Sequence, residues 1–287
     1  MRRATLLVSL AYVASFVLAL LVGRALDASG PLAVALAADC AATVAIFAFS
    51  MAFDNSSFYD AYWSVAPFPI AWYWSTHADA AGANPVRQSL VLFALAFWGL
   101  RLTWNWYRQW HGLGHEDWRY VDIRAKSGKA WPLASLAGVH FFPTLIVFAG
   151  LLPVYSAMTS PAPLGALDLV AFVVAVGATV IEAISDQQLR AYLARRSGPE
   201  EILASGLWKY SRHPNYFGEN GFWWGLALFG LAAGPQWWTV LGAVAMTSMF
   251  VFVSIPLLDE RSAARRPGYR EHINRVSALI PWPPRAA

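Results

Sequence analysis

The chain has 287 residues, 57% of them hydrophobic and 13% charged. A soluble domain carries about 25% charged residues, so a solvated globular domain is excluded and an integral membrane protein is expected. The net charge of +4 is small and its basic residues are spread over loops, which gives nucleic acid no patch to bind, while the lone Cys40 excludes an internal disulfide framework.

A helix needs about 20 apolar residues to cross a bilayer. The first such run is 4–22. Met1-Arg2-Arg3 ahead of it has the look of a signal peptide, but the run is of spanning length and no small-x-small cleavage site follows, so it reads as a first helix. Further runs fall at 31–53, 57–74, 88–106, 133–156, 164–184, 219–234 and 237–257. Pro67 and Pro69 lie inside the third run, so it is expected to bend. The runs are continuous rather than alternating, which excludes a β-barrel. Only helices otherwise satisfy the backbone in lipid. The expected fold class is all-α: a polytopic membrane helical bundle of about eight transmembrane helices, within a range of seven to nine.

Charge placement orients it. With the N-terminus inside, every Lys and Arg except Arg24, Arg87 and Arg101 falls on the inner side. That asymmetry follows the positive-inside rule. It predicts cytoplasmic N- and C-termini, as in a bacterial inner membrane.

The polar residues within or beside the runs are candidates for chemistry. Asp60 begins the third run, flanked by Tyr59 and Tyr62. A protonated acid or a tyrosine there can donate a proton to a substrate carbonyl; the plainer reading is a polar residue at the inner interface. Asp39, Arg101 and His140 also lie within runs, and Arg101 is expected to pair with an aspartate. His111 and His115 are four apart, but Gly112 and Gly114 argue against the helix that would present them to a metal. The same loop is read instead as a lid carrying Arg119 and Arg124 towards phosphates.

Glu182, Asp186 and Arg190 are spaced four apart and share one helix face. The carboxylates suit ribose hydroxyls or an adenine amine, and the arginine suits a phosphate; an ordinary Asp186–Arg190 ion pair is the alternative. Lys209 to Glu219 concentrates polar groups in front of an apolar helix. Arg212 and His213 are phosphate candidates. Pro214 disfavours helix at His213, so a new helix is expected to begin there, with Asn215 near its N-terminus, where anions are favoured. Glu219 is an ionisable residue just inside the apolar run, and such residues are functional candidates by default. In the tail, Tyr269 among arginines suits phosphate or adenine, unless the stretch only attracts anionic lipid. No G-x-G-x-x-G after a strand, G-x-x-x-x-G-K-[ST] or G-x-S-x-G occurs. A nucleotide would therefore be held by helix ends and inner loops.

Three segments together carry a family resemblance: Glu116-Asp117-Trp118-Arg119-Tyr120, Gly206-Leu207-Trp208 through Glu219, and Pro267-Gly268-Tyr269 leading to Pro281-Trp282-Pro283. With Glu182-x-x-Ser185-Asp186 ahead of them, the chain resembles the steroid 5-alpha-reductase-like superfamily, in its DUF1295 branch. The resemblance implies an NADPH-dependent reductase of an enone C=C bond in a hydrophobic, steroid-like or other lipid substrate. It implies cofactor roles for Asp186, Tyr210, Arg212, Asn215, Glu219 and Tyr269. It puts Tyr59-Asp60 in the place of the family's early catalytic acid, with Asp for Glu, while Trp98 falls near the position of the later tyrosine. Residues 1–106 would supply the substrate cavity and 107–287 the cytosolic cofactor region. Isoprenylcysteine carboxyl methyltransferases share an R-H-P-x-Y-x-G segment, so an S-adenosylmethionine-dependent methyltransferase is the alternative, with a non-catalytic lipid-binding protein as the third class. No metal and no protein partner are expected; the partners are the substrate and membrane lipid.

Overall fold

The computed structural model describes residues 2–285. Among them every regular element is helical. In chain order these are α1 (Arg2–Ala25), α2 (Pro31–Ala52), α3 (Tyr62–Val65), α4 (Pro67–Thr76), α5 (Pro85–Gln109), α6 (Trp118–Ser127), α7 (Trp131–Ala134), α8 (Phe142–Thr159), α9 (Ala166–Arg195), α10 (Pro214–Ala233), α11 (Leu241–Met249), α12 (Ile255–Arg265) and α13 (Tyr269–Arg275). Two π-helical stretches, Ser135–Phe141 and Phe250–Ser254, join α7 to α8 and α11 to α12.

The chain is a polytopic membrane bundle. Its outer faces are apolar: Leu6, Leu10, Val13, Phe16 and Leu20 on α1, and Leu169, Val173, Val180 and Ile184 on α9, are exposed. Its interior holds the polar side chains. Among the described residues five helical stretches are long and apolar enough to cross a membrane: Arg2–Ala25, Pro31–Ala52, Trp118–Thr159, Ala166–Arg195 and Trp237–Arg265. The expected runs 57–74, 88–106 and 219–234 are not among them, for physical reasons. The third run is broken into a 3₁₀ turn at Ser56–Phe58, α3 and α4. Even α3 and α4 together, at ~1.5 Å per residue, fall short of a ~30 Å hydrocarbon core. In α5 and α10 the hydropathy is diluted by polar residues that face protein rather than lipid, among them Arg87, Glu219 and Asn220, all buried.

The runs still alternate between two ends. The end that receives the C-terminus of α5, the C-terminus of α9 and the start of α10 carries most of the Lys and Arg, and is termed the basic end. At the opposite end the α4–α5 connection meets the α8–α9 connection, through Asn84 N–H to Ser160 O at 3.1 Å and Tyr155 Oη to Asp79 Oδ2 at 2.8 Å. Asn84 caps α5, accepting from the backbone N–H groups of Val86 and Arg87.

Close approach of α9 and α10 rests on small residues. A Cβ on Gly218 would lie 2.6 Å from Glu182 Cβ, and one on Gly225 would lie 2.7 Å from Ala175. Without a hydrophobic drive between helices in lipid, such small-residue faces give the packing contact. The largest apolar core unites Trp74, Trp98, Leu151, Phe222 and Trp223, so residues before and after 106 share it.

Arg87, expected as an outer loop cation, is fully buried. It donates to Asp168 Oδ1 at 2.6 Å and Oδ2 at 3.0 Å, and to the carbonyls of Ala162 and Pro163. Removing one member of a buried pair strands the other charge. Arg87→Met is therefore expected to destabilise the purified protein by about 3 kcal/mol, read as a drop in thermal midpoint in detergent. Adding Asp168→Leu is expected to recover most of that loss; no recovery would mean the pair is not what holds this end.

Candidate functional site

The basic end gathers the sequence candidates from α9 and α10 around one cation. Arg101 on α5 reaches Glu182 Oε1 at 2.7 Å and also pairs with Asp186. Its expected aspartate partner is thus Asp186, and a glutamate joins it. Asp186 further accepts from Asn105 Nδ2 at 2.9 Å and interacts with the Asn215 side chain. Glu182, Asp186, Asn215 and Glu219 are therefore neighbours, because four-residue spacing on α9 meets four-residue spacing on α10 across the glycine contact. Pro214 opens α10, and Asn215 follows it in the first turn as the sequence predicts.

Glu219 is buried and spoken for. Its Oε2 accepts from Trp98 Nε1 at 2.9 Å and its Oε1 from Trp223 Nε1 at 2.8 Å. Trp98, at the position near the family's later tyrosine, thus turns its polar edge to this carboxylate. Glu182 Oε2 is buried without a hydrogen-bond donor.

Arg190 does not pair with Asp186. It donates to Asn105 Oδ1 at 2.7 Å and lines a groove with Arg101 and Arg108.

Arg212 and His213, read as phosphate contacts, both bond Asp259. Arg212 Nη2 lies 2.7 Å from Asp259 Oδ2, and His213 Nε2 lies 3.0 Å from Asp259 Oδ1. Arg212 Nη1 donates to the carbonyls of Ile273 and Val276. Tyr269 Oη donates to Asp259 Oδ1 at 3.1 Å. Burial, and then the Asp259 charge, push the Tyr269 hydroxyl up to about 12. These residues anchor the C-terminal segment, and Arg212 also lines a pocket of about 600 Å³ together with Arg275 and Arg285. Tyr210, half exposed, contributes its backbone carbonyl to Trp282 N–H at 2.9 Å and packs under Lys209. No local signal announced Asp259 as the partner of Arg212.

A second cluster lies where the broken third run meets α6. Asp60 accepts from Tyr120 Oη at 2.9 Å. Tyr59 points away, its hydroxyl 2.8 Å from Thr144 Oγ1, so the two residues paired in the sequence reading part company. Arg119 is held by Asp117, with Nε to Oδ1 at 2.8 Å and Nη2 to Oδ2 at 3.0 Å. Burial works to raise the Asp117 carboxyl, but Arg119 overrides it and keeps it below its ordinary value. Arg124 bonds Asp54 and lies 3.3 Å from Glu116, with its guanidinium over the Trp131 ring. Glu116 in turn accepts from Ser56 N–H at 2.6 Å. Arg124 therefore fastens the 110–117 loop.

Tyr216 connects the clusters. It lies within electrostatic reach of Arg119 and Asp117 on one side and of Asp186 and Glu219 on the other. Its ring stacks on His213 at 5.5 Å. Sequence reasoning left out Tyr120, Asn105, Tyr216 and Asp259 as site residues. Tyr120 lies in the Glu116–Tyr120 motif and Tyr216 in the segment after Pro214, so a signal existed for both; Asn105 carried none.

An apolar cavity of about 270 Å³ lies between α1, α2, α3 and α4. Its polar lining includes Arg24, Asp27, Asp39 and Tyr62, and the Tyr62 hydroxyl donates to Asp39 Oδ1 at 2.7 Å. His111 and His115 meet edge to face at 6.3 Å, and among the described residues no group of three His, Cys, Asp or Glu is placed to hold a metal ion.

The model of a family described as a protein of unknown function (DUF1295) matches residues 46–276. An uncharacterized protein of Schizosaccharomyces pombe is 27% identical over 251 residues, which cover 79% of this chain and 73% of that protein. No solved structure matches the chain.

Asp259 receives Arg212, His213 and Tyr269 at once, so its loss should free the tail. Asp259→Asn is expected to speed limited proteolysis within 266–285 by roughly a hundredfold, as the loss of one partner of a buried pair implies. Helix content should be unchanged. An unaltered cleavage rate would show that the tail is held by other contacts.

Proposed function

The chain belongs to the DUF1295 family, and on that footing we propose that it is a membrane-embedded, NADPH-dependent reductase of an enone C=C bond in a hydrophobic substrate. The observation that carries the reading is the convergence around Tyr216. Tyr216 is within electrostatic reach of Arg119 and Asp117, which neighbour the Asp60–Tyr120 hydrogen bond, and of Asp186 and Glu219, with Asn215 bonded to Asp186.

The residues present fit a nucleotide in kind. Asp186 and Asn215 offer an acceptor and an amide at a helix start, where ribose and phosphate groups are favoured. Glu182 Oε2 is a buried oxygen beside the Glu219 carboxyl, and an amine or hydroxyl of a ligand that reached it would give it a donor. NADPH, when bound, supplies the hydride. The chain's own task is then to meet the charge that develops on the ketone oxygen. In this reading Asp60 in its protonated form would donate to Tyr120 Oη and so leave the Tyr120 proton for the ketone oxygen. Fixing the 110–117 loop by Glu116 and Arg124 excludes water and holds that donor in position. The apolar cavity between α1 and α4 provides room for the greasy body of the substrate. In this reading the basic end faces the cytosol, where NADPH is found.

One observation favours the second reading, an S-adenosylmethionine-dependent methyltransferase. With Arg212 committed to Asp259 and Arg124 to Glu116, the cluster holds fewer free guanidinium groups than a dinucleotide with several phosphates calls for. S-adenosylmethionine carries none.

Heating the detergent-purified protein with NADPH, NADH or S-adenosylmethionine separates the two. Stabilisation by NADPH is expected, and Asn215→Ala should abolish it. Stabilisation by S-adenosylmethionine alone would overturn the reductase. Where an enone is turned over, Asp60→Asn and Tyr120→Phe should each slow reduction about 100-fold while leaving the NADPH shift intact. Full activity in both variants would remove them from the chemistry.

A further inference from the structure

The groove between α5 and α9 at the basic end is not used by the proposed reaction. It encloses about 450 Å³ and is lined by Arg101, Trp104, Asn105, Arg108, Gln187 and Arg190. Arg101 is neutralised by Glu182 and Asp186. The other two arginines are not. Arg190 hydrogen-bonds the neutral Asn105 amide at 2.7 Å and feels Asp186 within electrostatic reach, without an ion pair to it. Arg108 is exposed and meets only the Trp104 ring, 5.6 Å from its centroid. Both lie within electrostatic reach of each other and repel. Two unpaired guanidinium groups in one groove call for a bound anion.

The position of the groove says which anion. It opens on the outer face of the bundle, not on its interior. Towards the opposite end it runs into an apolar strip: Leu100 is 72% exposed, and Phe93, Val173, Val180 and Ile184 are exposed as well. Trp104, also exposed, stands between the strip and the arginines, where amphipathic rings mark the membrane–water boundary. A soluble nucleotide has no use for the strip, whereas a lipid needs both parts.

We propose that the α5–α9 groove binds one anionic phospholipid, its phosphate between Arg108 and Arg190 and its acyl chains along the Leu100–Ile184 strip. Arg190, which the sequence assigned to a cofactor phosphate, serves the lipid instead. The site is separate from the Asp186–Asn215 cluster, although Arg101 and Asn105 form the wall between them.

The test is native mass spectrometry of the full-length protein in mixed micelles, titrated with phosphatidylglycerol or phosphatidylcholine. One phosphatidylglycerol is expected to be retained in preference to phosphatidylcholine. Each arginine near an anionic lipid is worth roughly fivefold in affinity, so R108Q/R190Q should lose roughly 20-fold. Arg108→Gln alone, at an exposed side chain free of ion pairs, gives the smaller loss in a variant whose fold is not at stake. An unchanged preference in these variants would overturn the proposal. So would displacement of the lipid by inorganic phosphate at equal concentration, which would mark a soluble-anion site. Loss of NADPH stabilisation in R108Q with phosphatidylglycerol binding intact would likewise overturn it and assign the groove to the nucleotide.

Discussion

Arg101 is the charge on which the basic end depends. A guanidinium within a membrane helix is tolerable only when paired and hydrogen-bonded. Here two carboxylates from α9 meet it, Glu182 and Asp186. Asn215 and Glu219 from α10 then complete the arrangement around those carboxylates, and Trp98 of α5 closes it by donating to Glu219. One cation thus fixes the relative positions of α5, α9 and α10. It does so because the glycine face of α10 lets the backbone of α9 come close. The cluster assigned to the proposed chemistry and the contact that the fold needs are the same group of atoms.

The opposite end repeats the device with a different purpose. Arg87 and Asp168 are sealed off, and their remaining bonds go to main-chain carbonyls. Nothing in that pair is left for a ligand. At the basic end, by contrast, Glu182 keeps an oxygen without a donor and the α5–α9 groove keeps two arginines without a counter-ion. Polar groups that are satisfied build the bundle; those left unsatisfied point to what it binds.

What the sequence made legible follows from the range of the interaction. Local patterns were readable: the apolar runs, the break at Pro67 and Pro69, the start of α10 at Pro214, and the shared face of Glu182 and Asp186. Pairings between distant elements were not. Arg212 finds Asp259, Asp60 finds Tyr120 and Trp98 finds Glu219 only once the helices are packed, and each partner is ordinary in its own neighbourhood. Arg87 shows the same limit for topology, since a buried pair looks like a loop cation until Asp168 is beside it. The runs 88–106 and 219–234 were correctly seen as helices. Their polar residues lowered their hydropathy because they face protein, and spacing alone does not separate that case from lipid contact.

The most direct test of the central arrangement is a cryo-electron microscopy map of the full-length protein in lipid nanodiscs with NADPH added. Dinucleotide density in contact with Asp186 and Asn215, with Arg101 still seated between Glu182 and Asp186, is the result this account predicts. Density that bypasses Asp186 and Asn215, or an Arg101 turned away from both carboxylates, would contradict it.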